Sequence, residues 1–108
     1  MDKKIKIEPS FEEMAILQDF FNKKKFNSLE KATKELIKKF PKSANLKNIL
    51  GISLQAQDKF DLSIQAYKQS ISLNEDFYLA YYNLGNVLKT VLDLQGAEEN
   101  FSKCLKKN

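Results

Sequence analysis

The sequence predicts an all-α fold, an α-solenoid of three antiparallel helix pairs, and three observations carry that expectation. Apolar side chains recur at helical spacing through most of the chain. A pattern repeats at one constant offset, the step from position 51 to position 85. No segment has the alternating, β-rich composition of a strand. The repeat shows first in the glycines. Gly51 and Gly85, two of only 3 in the chain, define the offset, each directly after a leucine (Leu50, Leu84) and three positions before another (Leu54, Leu88). At the same offset Lys25 and Phe26 map onto Lys59 and Phe60, and Phe60 onto Leu94. Ala32 maps onto Ala66, Lys34 onto Lys68 and Ile37 onto Ile71. This register divides the chain into an N-terminal extension, 1–9, and a single domain, 10–108, built of units 10–43, 44–77 and 78–108.

In the first unit, Ser10, Phe11, Glu12 and Glu13 have the form of a capping box, in which the Ser10 hydroxyl accepts from the third backbone N–H and Glu13 reaches back. Asn27, Ser28, Leu29 and Glu30 have the same form, placing a second helix start there; Pro41 ends that helix because it lacks a donor and restricts Phe40. In the second unit Leu46, Ile49, Leu50 and Leu54 make one stripe, and Ile64, Tyr67 and Ile71 another. Asp58, Lys59, Phe60 and Asp61 fall between them as a turn, with Asp61 expected as the cap. In the third unit a cap at Asp76 precedes Leu84, Val87, Leu88 and Val91, and after Gly96 come Ala97, Phe101, Cys104 and Leu105.

Composition narrows the chemistry. The chain has 108 residues, 43% hydrophobic and 30% charged, with a net charge of +4: one small domain, apolar enough to bury a core. It contains no histidine and a single cysteine, which excludes a histidine-based catalytic triad, a histidine zinc site and an internal disulfide. All 18 basic residues are lysine, so no guanidinium fork is present to read phosphate or guanine bidentately. Positive charge gathers in residues 1–54, with 12 lysines against 7 acids, yet no aromatic residues interleave with the runs at Lys23–Lys25 and Lys38–Lys39. These read as solvated lysines, and neither a nucleic-acid nor a membrane partner is expected. No window reaches the length of a membrane span, the start lacks the apolar core of a signal peptide, and a cytoplasmic location is expected. Adjacent acids such as Glu98 and Glu99 point in different directions on a helix, which rules them out as a catalytic pair across a substrate. The glycines are isolated, so no phosphate loop exists. No enzyme activity and no cofactor or metal are expected.

The third unit resembles a tetratricopeptide repeat through Tyr81, Leu84, Gly85, Leu88, Ala97 and Phe101. The second resembles it through Leu50, Gly51, Leu54, Phe60 and Tyr67, with Lys47 in place of the aromatic and Ser63 in place of alanine. The first diverges, with Leu17 at the glycine position and Thr33 at an aromatic one, but Pro41 falls at the family's proline. Physically, Gly51 and Gly85 let helices of a pair approach, with Ala66 and Ala97 expected as the complementary small residues. Phe60, Tyr67, Leu94 and Phe101 are expected to fill the space between neighbouring pairs.

The resemblance implies a right-handed superhelix whose inner groove, lined by the first helix of each pair, binds a peptide or partner protein. The positions carried over are Asn48, Ile52 and Gln55 in the second unit and Tyr82, Asn83, Asn86 and Lys89 in the third, with Met14, Gln18 and Phe21 in the first. The asparagine ladder of the O-GlcNAc transferases would pass through Asn83, but Ala15 and Ile49 hold its other positions. The lysine clamp of the chaperone-tail binders is matched only by Lys89. An alternative is that the chain is the non-catalytic repeat region of a glycosyltransferase or sulfotransferase whose catalytic domain lies outside it. The last unit is shorter than the others and leaves the flank of Ala97, Phe101, Cys104 and Leu105 open, so either a longer array or self-association through that flank is expected.

Overall fold

A computed structural model describes residues 6–108. Among them lie six helices and no strand: α1 (Phe11–Asn22), α2 (Phe26–Lys39), α3 (Ala44–Ala56), α4 (Phe60–Leu73), α5 (Tyr78–Thr90) and α6 (Leu94–Lys107). The helices pack in chain order as an elongated body of 48 × 33 × 19 Å, the shape of stacked hairpins around a continuous core. Residues 1–5 of the expected extension lie outside the described part.

The helix starts follow backbone closure more than side-chain type. At α1 the expected capping box is present: Glu13 N–H donates to Ser10 Oγ at 3.1 Å and Ser10 N–H to Glu13 Oε1 at 3.0 Å. The other expected caps are displaced. α2 begins at Phe26 with Lys25 at the N-cap, so no box forms at Asn27 and Glu30 is used elsewhere. α4 begins at Phe60 with Lys59 at the N-cap, placing Asp61 inside the first turn. α5 has Phe77 at its N-cap instead of Asp76, whose carboxylate meets Lys107 Nζ at 3.2 Å. α6 starts at Leu94, ahead of Gly96, because the Asp93 side chain accepts from Gly96 N–H at 3.0 Å. Ser43 caps α3 in the same way, through Leu46 N–H at 3.0 Å.

The reason is a turn that recurs with the repeat. Lys24, Asp58 and Leu92 are equivalent positions of successive units, and all adopt left-handed backbone, with φ of 57°, 60° and 67°. Each is flanked by the same pair of bonds: Lys25 N–H to Phe20 O, Lys59 N–H to Leu54 O and Asp93 N–H to Leu88 O at 2.8–2.9 Å, with a shorter-span bond from the preceding residue. This is a Schellman closure of the first helix, and its last residue is already the N-cap of the second. Helix reversal is therefore set by backbone bonds at a fixed register, whatever side chain stands there.

Packing within pairs corrects one expectation. The residues opposite the glycines are aromatic rings, not Ala66 and Ala97: a Cβ on Gly51 would overlap the Tyr67 ring, and one on Gly85 would stand 2.5 Å from Phe101 Cε1. Ala66 is buried with Leu50 and Leu54, and Ala97 with Tyr67, Leu84, Val87 and Leu88. Between pairs, Phe60 and Tyr67 do fill the space, joining Ile64 and Ile71 against Leu84, Val87 and Leu88. Leu94 does not; it is 62% exposed on the outer side of α6. Buried hydroxyls are satisfied by carbonyls: Ser63 Oγ donates to Gly51 O at 3.1 Å and Ser70 Oγ to Ala44 O at 2.7 Å, tying α4 to α3 where the family pattern has apolar small residues.

One ionic group locks the first repeat to the second. Glu30, 8% exposed, accepts from Lys34 Nζ at 2.7 Å, Gln57 Nε2 at 2.9 Å and Lys59 Nζ at 3.1 Å. These bonds, that of Lys34 first, outweigh burial and hold its carboxyl at about 2, below the usual 4.5. A depressed folded-state value means that the stabilisation is complete above pH 4.5 and fades as pH falls toward 2. With both lysine heads half exposed, about 1–3 kcal/mol is expected from this site. Urea titrations of the native chain and Glu30→Gln should therefore differ most at neutral pH and converge below pH 3; a gap independent of pH would contradict the assignment.

Candidate functional site

The inner face of the stack is lined by α1, α3 and α5, and its two halves differ chemically. Between α1 and α3 a pocket of about 160 Å³ is lined by Met14, Leu17, Gln18, Phe21, Leu29, Ile49 and Ile52, with Gln18 the only amide. Ile52 continues into a shallower depression between α3 and α5, where it meets Gln55 and Asn83 beside Phe21, Phe26 and Asp58. Helical spacing explains the alignment: Gln18 and Phe21 lie one turn apart on α1, and Ile52 and Gln55 one turn apart on α3.

The candidate residues take three kinds of position. Ile52, Gln55 and Asn83 come together in the depression, with Gln55 Oε1 oriented by the Tyr67 hydroxyl at 2.7 Å. Burial pushes the Tyr67 phenol up, so it stays a neutral donor to Gln55. Asn48 lies behind the surface, 5% exposed, and its Oδ1 accepts from Asn83 Nδ2 at 3.0 Å across the repeat boundary. It holds Asn83 in place and offers little of its own surface. Tyr82, 50% exposed, leans toward α6 with its ring 6.0 Å from that of Phe101. Asn86 and Lys89 follow toward the end of α5, half-buried and exposed respectively, beyond the depression. Met14, Gln18 and Phe21 all line the apolar pocket.

Reasoning from single repeats missed Leu17, Leu29 and Ile49, the floor of that pocket. Ile49 is half-buried and Leu17 and Leu29 are fully buried behind it, and only the gap between α1 and α3 shows that they back a pocket. Among the described residues no group of histidine, cysteine, aspartate and glutamate side chains is arranged to hold a metal ion. Cys104 is a half-buried free thiol. No helix of the described residues is long and apolar enough to cross a membrane.

Residues 51–90, which run from Gly51 through the second hairpin to the end of α5, match the family model described as TPR repeat. Over this stretch the chain is similar to the tetratricopeptide repeat. Solved structures agree in fold over nearly the whole chain. The second TPR of Spaghetti, solved bound to the HSP90 peptide SRMEEVD, superposes with a TM-score of 0.85 at 18% identity, covering 90% of each chain. The TPR2AB domain of yeast Sti1, in a complex with an HSP90 peptide, gives 0.85 at 22% identity over 89% of this chain and 37% of that one. MamA gives 0.79 at 23% identity over 84% of this chain and 53% of its own. At these identities the likeness establishes the TPR fold, and the present chain spans about half or less of the latter two. No curated protein matches the chain. The transferase-associated alternative draws no support from these matches.

Proposed function

We propose that the chain is a protein-interaction module whose TPR groove binds an extended segment of a partner protein. The observation that carries this reading is the continuity of the inner face: an apolar pocket at Met14, Phe21 and Ile52 opens directly onto the depression at Gln55 and Asn83. An apolar side chain of the partner would enter the pocket, while its backbone N–H and C=O groups would meet amides that can both donate and accept. Tyr82, Asn86 and Lys89 would extend the contact along α5, with Asn48 holding Asn83. The grouping supports binding over catalysis, since it brings together no nucleophile with an activating base.

The two peptide-bound neighbours, Spaghetti and yeast Sti1, support occupation of such a face by a peptide. Lys89 is the one lysine among the carried-over positions, so a partner segment with an apolar anchor and little acidity fits better than an acidic tail like SRMEEVD.

Selection from a displayed peptide library against the chain, followed by affinity measurement, tests the assignment. Tyr82→Ser combined with Asn86→Ala is expected to weaken the selected peptide at least about tenfold while leaving helicity unchanged, because neither side chain is a core element. Asn83→Ala is less informative, since it removes the partner of the buried Asn48 amide. Unchanged affinity in the double variant would refute the extension of the contact along α5, and selected peptides with no apolar anchor would refute the groove assignment.

A further inference from the structure

The two connected depressions of the inner face are nearly free of charge, and the exception stands beside a pair of aromatic rings. The pocket between α1 and α3 has no charged residue in its lining. The depression next to it has one among the described residues, Asp58, grouped with Phe21, Phe26 and Gln55. In a chain of net charge +4 with 18 lysines, the single charge lining this surface is therefore negative. Asp58 owes its place to the left-handed turn that closes α3, with φ of 60°. The equivalent turns carry Lys24 and Leu92, so the carboxylate belongs to this repeat and is not a requirement of the turn. Asp58 is exposed, and among the described residues it forms no ion pair. Its neighbour Lys59 is committed to Glu30 at 3.1 Å, and Lys24 and Lys25 of the preceding turn do not line the depression.

The rings supply the second half of the argument. Phe21, 43% exposed, meets Phe26 edge to face, with centroids 6.1 Å apart and planes at 78°, and both line the depression. A lysine or arginine side chain entering there would lay its methylene stem on the rings and bring its cation to ring surface and to the Asp58 carboxylate together. Phe21 and Ile52 also line the apolar pocket, so the two depressions share a wall. In an extended segment alternate side chains point the same way about 7 Å apart, which suits neighbouring depressions of this kind. We infer that Asp58, with Phe21 and Phe26, forms a subsite for a basic side chain of the partner segment, two positions from its apolar anchor. The inference rests on the groove reading given above and adds the charge of the segment to it.

Peptides selected on the native chain from a displayed random library test this, and are expected to carry Lys or Arg two positions from an apolar residue. Asp58→Asn should weaken such a peptide about three- to fivefold and remove most of the salt dependence of its binding. Asparagine suits left-handed backbone as aspartate does, and Lys24 shows that the same turn accepts lysine, so both Asp58→Asn and Asp58→Lys are expected to fold. Asp58→Lys should prefer the peptide in which Glu replaces the basic residue, a reversal that a purely structural role for Asp58 would not produce. Asp61→Asn removes the same charge from an exposed position outside the depression and should leave affinity unchanged. Anchored peptides without the basic residue, equal binding by the native chain and Asp58→Asn, an equal loss in Asp61→Asn, or no reversal in Asp58→Lys would each overturn the basic subsite and leave the groove reading standing. Selected peptides with no apolar anchor would overturn both.

Discussion

Tyr67→Ala is expected to cost about 3–5 kcal/mol, a large part of the roughly 5–15 kcal/mol that stabilises a domain of this kind. Tyr67 is fully buried and plays three parts at once. Its ring covers Gly51 within its own repeat, packs against Leu84, Val87 and Leu88 of the next, and carries the hydroxyl that orients Gln55 in the groove. Truncation opens a cavity at the junction of two repeats and frees the Gln55 amide. Tyr67→Phe separates these effects: it keeps the ring and removes only the hydroxyl, and about 1 kcal/mol is expected. Urea unfolding of the three proteins checks the order; equal stability of the native chain and Tyr67→Ala would mean that the ring is not packed as described.

Gly51→Ala is the complementary case and is expected to destabilise by about 1–3 kcal/mol, although alanine is the better helix former by about 1 kcal/mol. The added methyl meets the buried Tyr67 ring, which is held by its neighbours and has no room to retreat. Gly85→Ala meets Phe101 at a comparable distance, but Phe101 is only partly buried and stands on the outer helix, so its ring can move and a smaller loss is expected. The cycle of Gly51→Ala with Tyr67→Ala should be strongly non-additive, because removing the ring removes the clash. Additive losses would show that the glycine is needed for some reason other than the ring.

Much of this packing could be read from spacing alone. The glycines at 51 and 85 set the repeat, and the aromatic that covers each, Tyr67 or Phe101, follows it at the same distance along the chain. That constant offset was a usable signal for the contact, and assigning it to Ala66 and Ala97 overlooked it. The caps were harder to read because the αL turns at Lys24, Asp58 and Leu92 are imposed by backbone closure, and neither lysine nor leucine advertises left-handed backbone. Thus Asn27 and Asp61 looked like helix starts on side-chain grounds, while the bonds at Lys25 and Lys59 decided the outcome; at α5 the Asp76 carboxylate meets Lys107 and Phe77 takes the N-cap.

The inner face was legible in part for the same kind of reason. Helical spacing placed Ile52, Gln55 and Asn83 on first helices of adjacent pairs, and they meet. The bond between Asn83 and Asn48 joins positions that are one step out of the repeat register, so register arithmetic does not reveal it, and it turns a groove amide into a buried support. Pocket depth between α1 and α3 depends on how far apart two helices stand, a quantity that no residue pattern states.

The central claim is that a partner segment lies on the inner face with an apolar anchor between α1 and α3. Amide chemical-shift mapping of the chain titrated with a library-selected peptide tests it most directly. Perturbations are expected to concentrate at Met14, Phe21, Ile52, Gln55 and Asn83; shifts confined to the outward faces of α2, α4 and α6 would contradict the account.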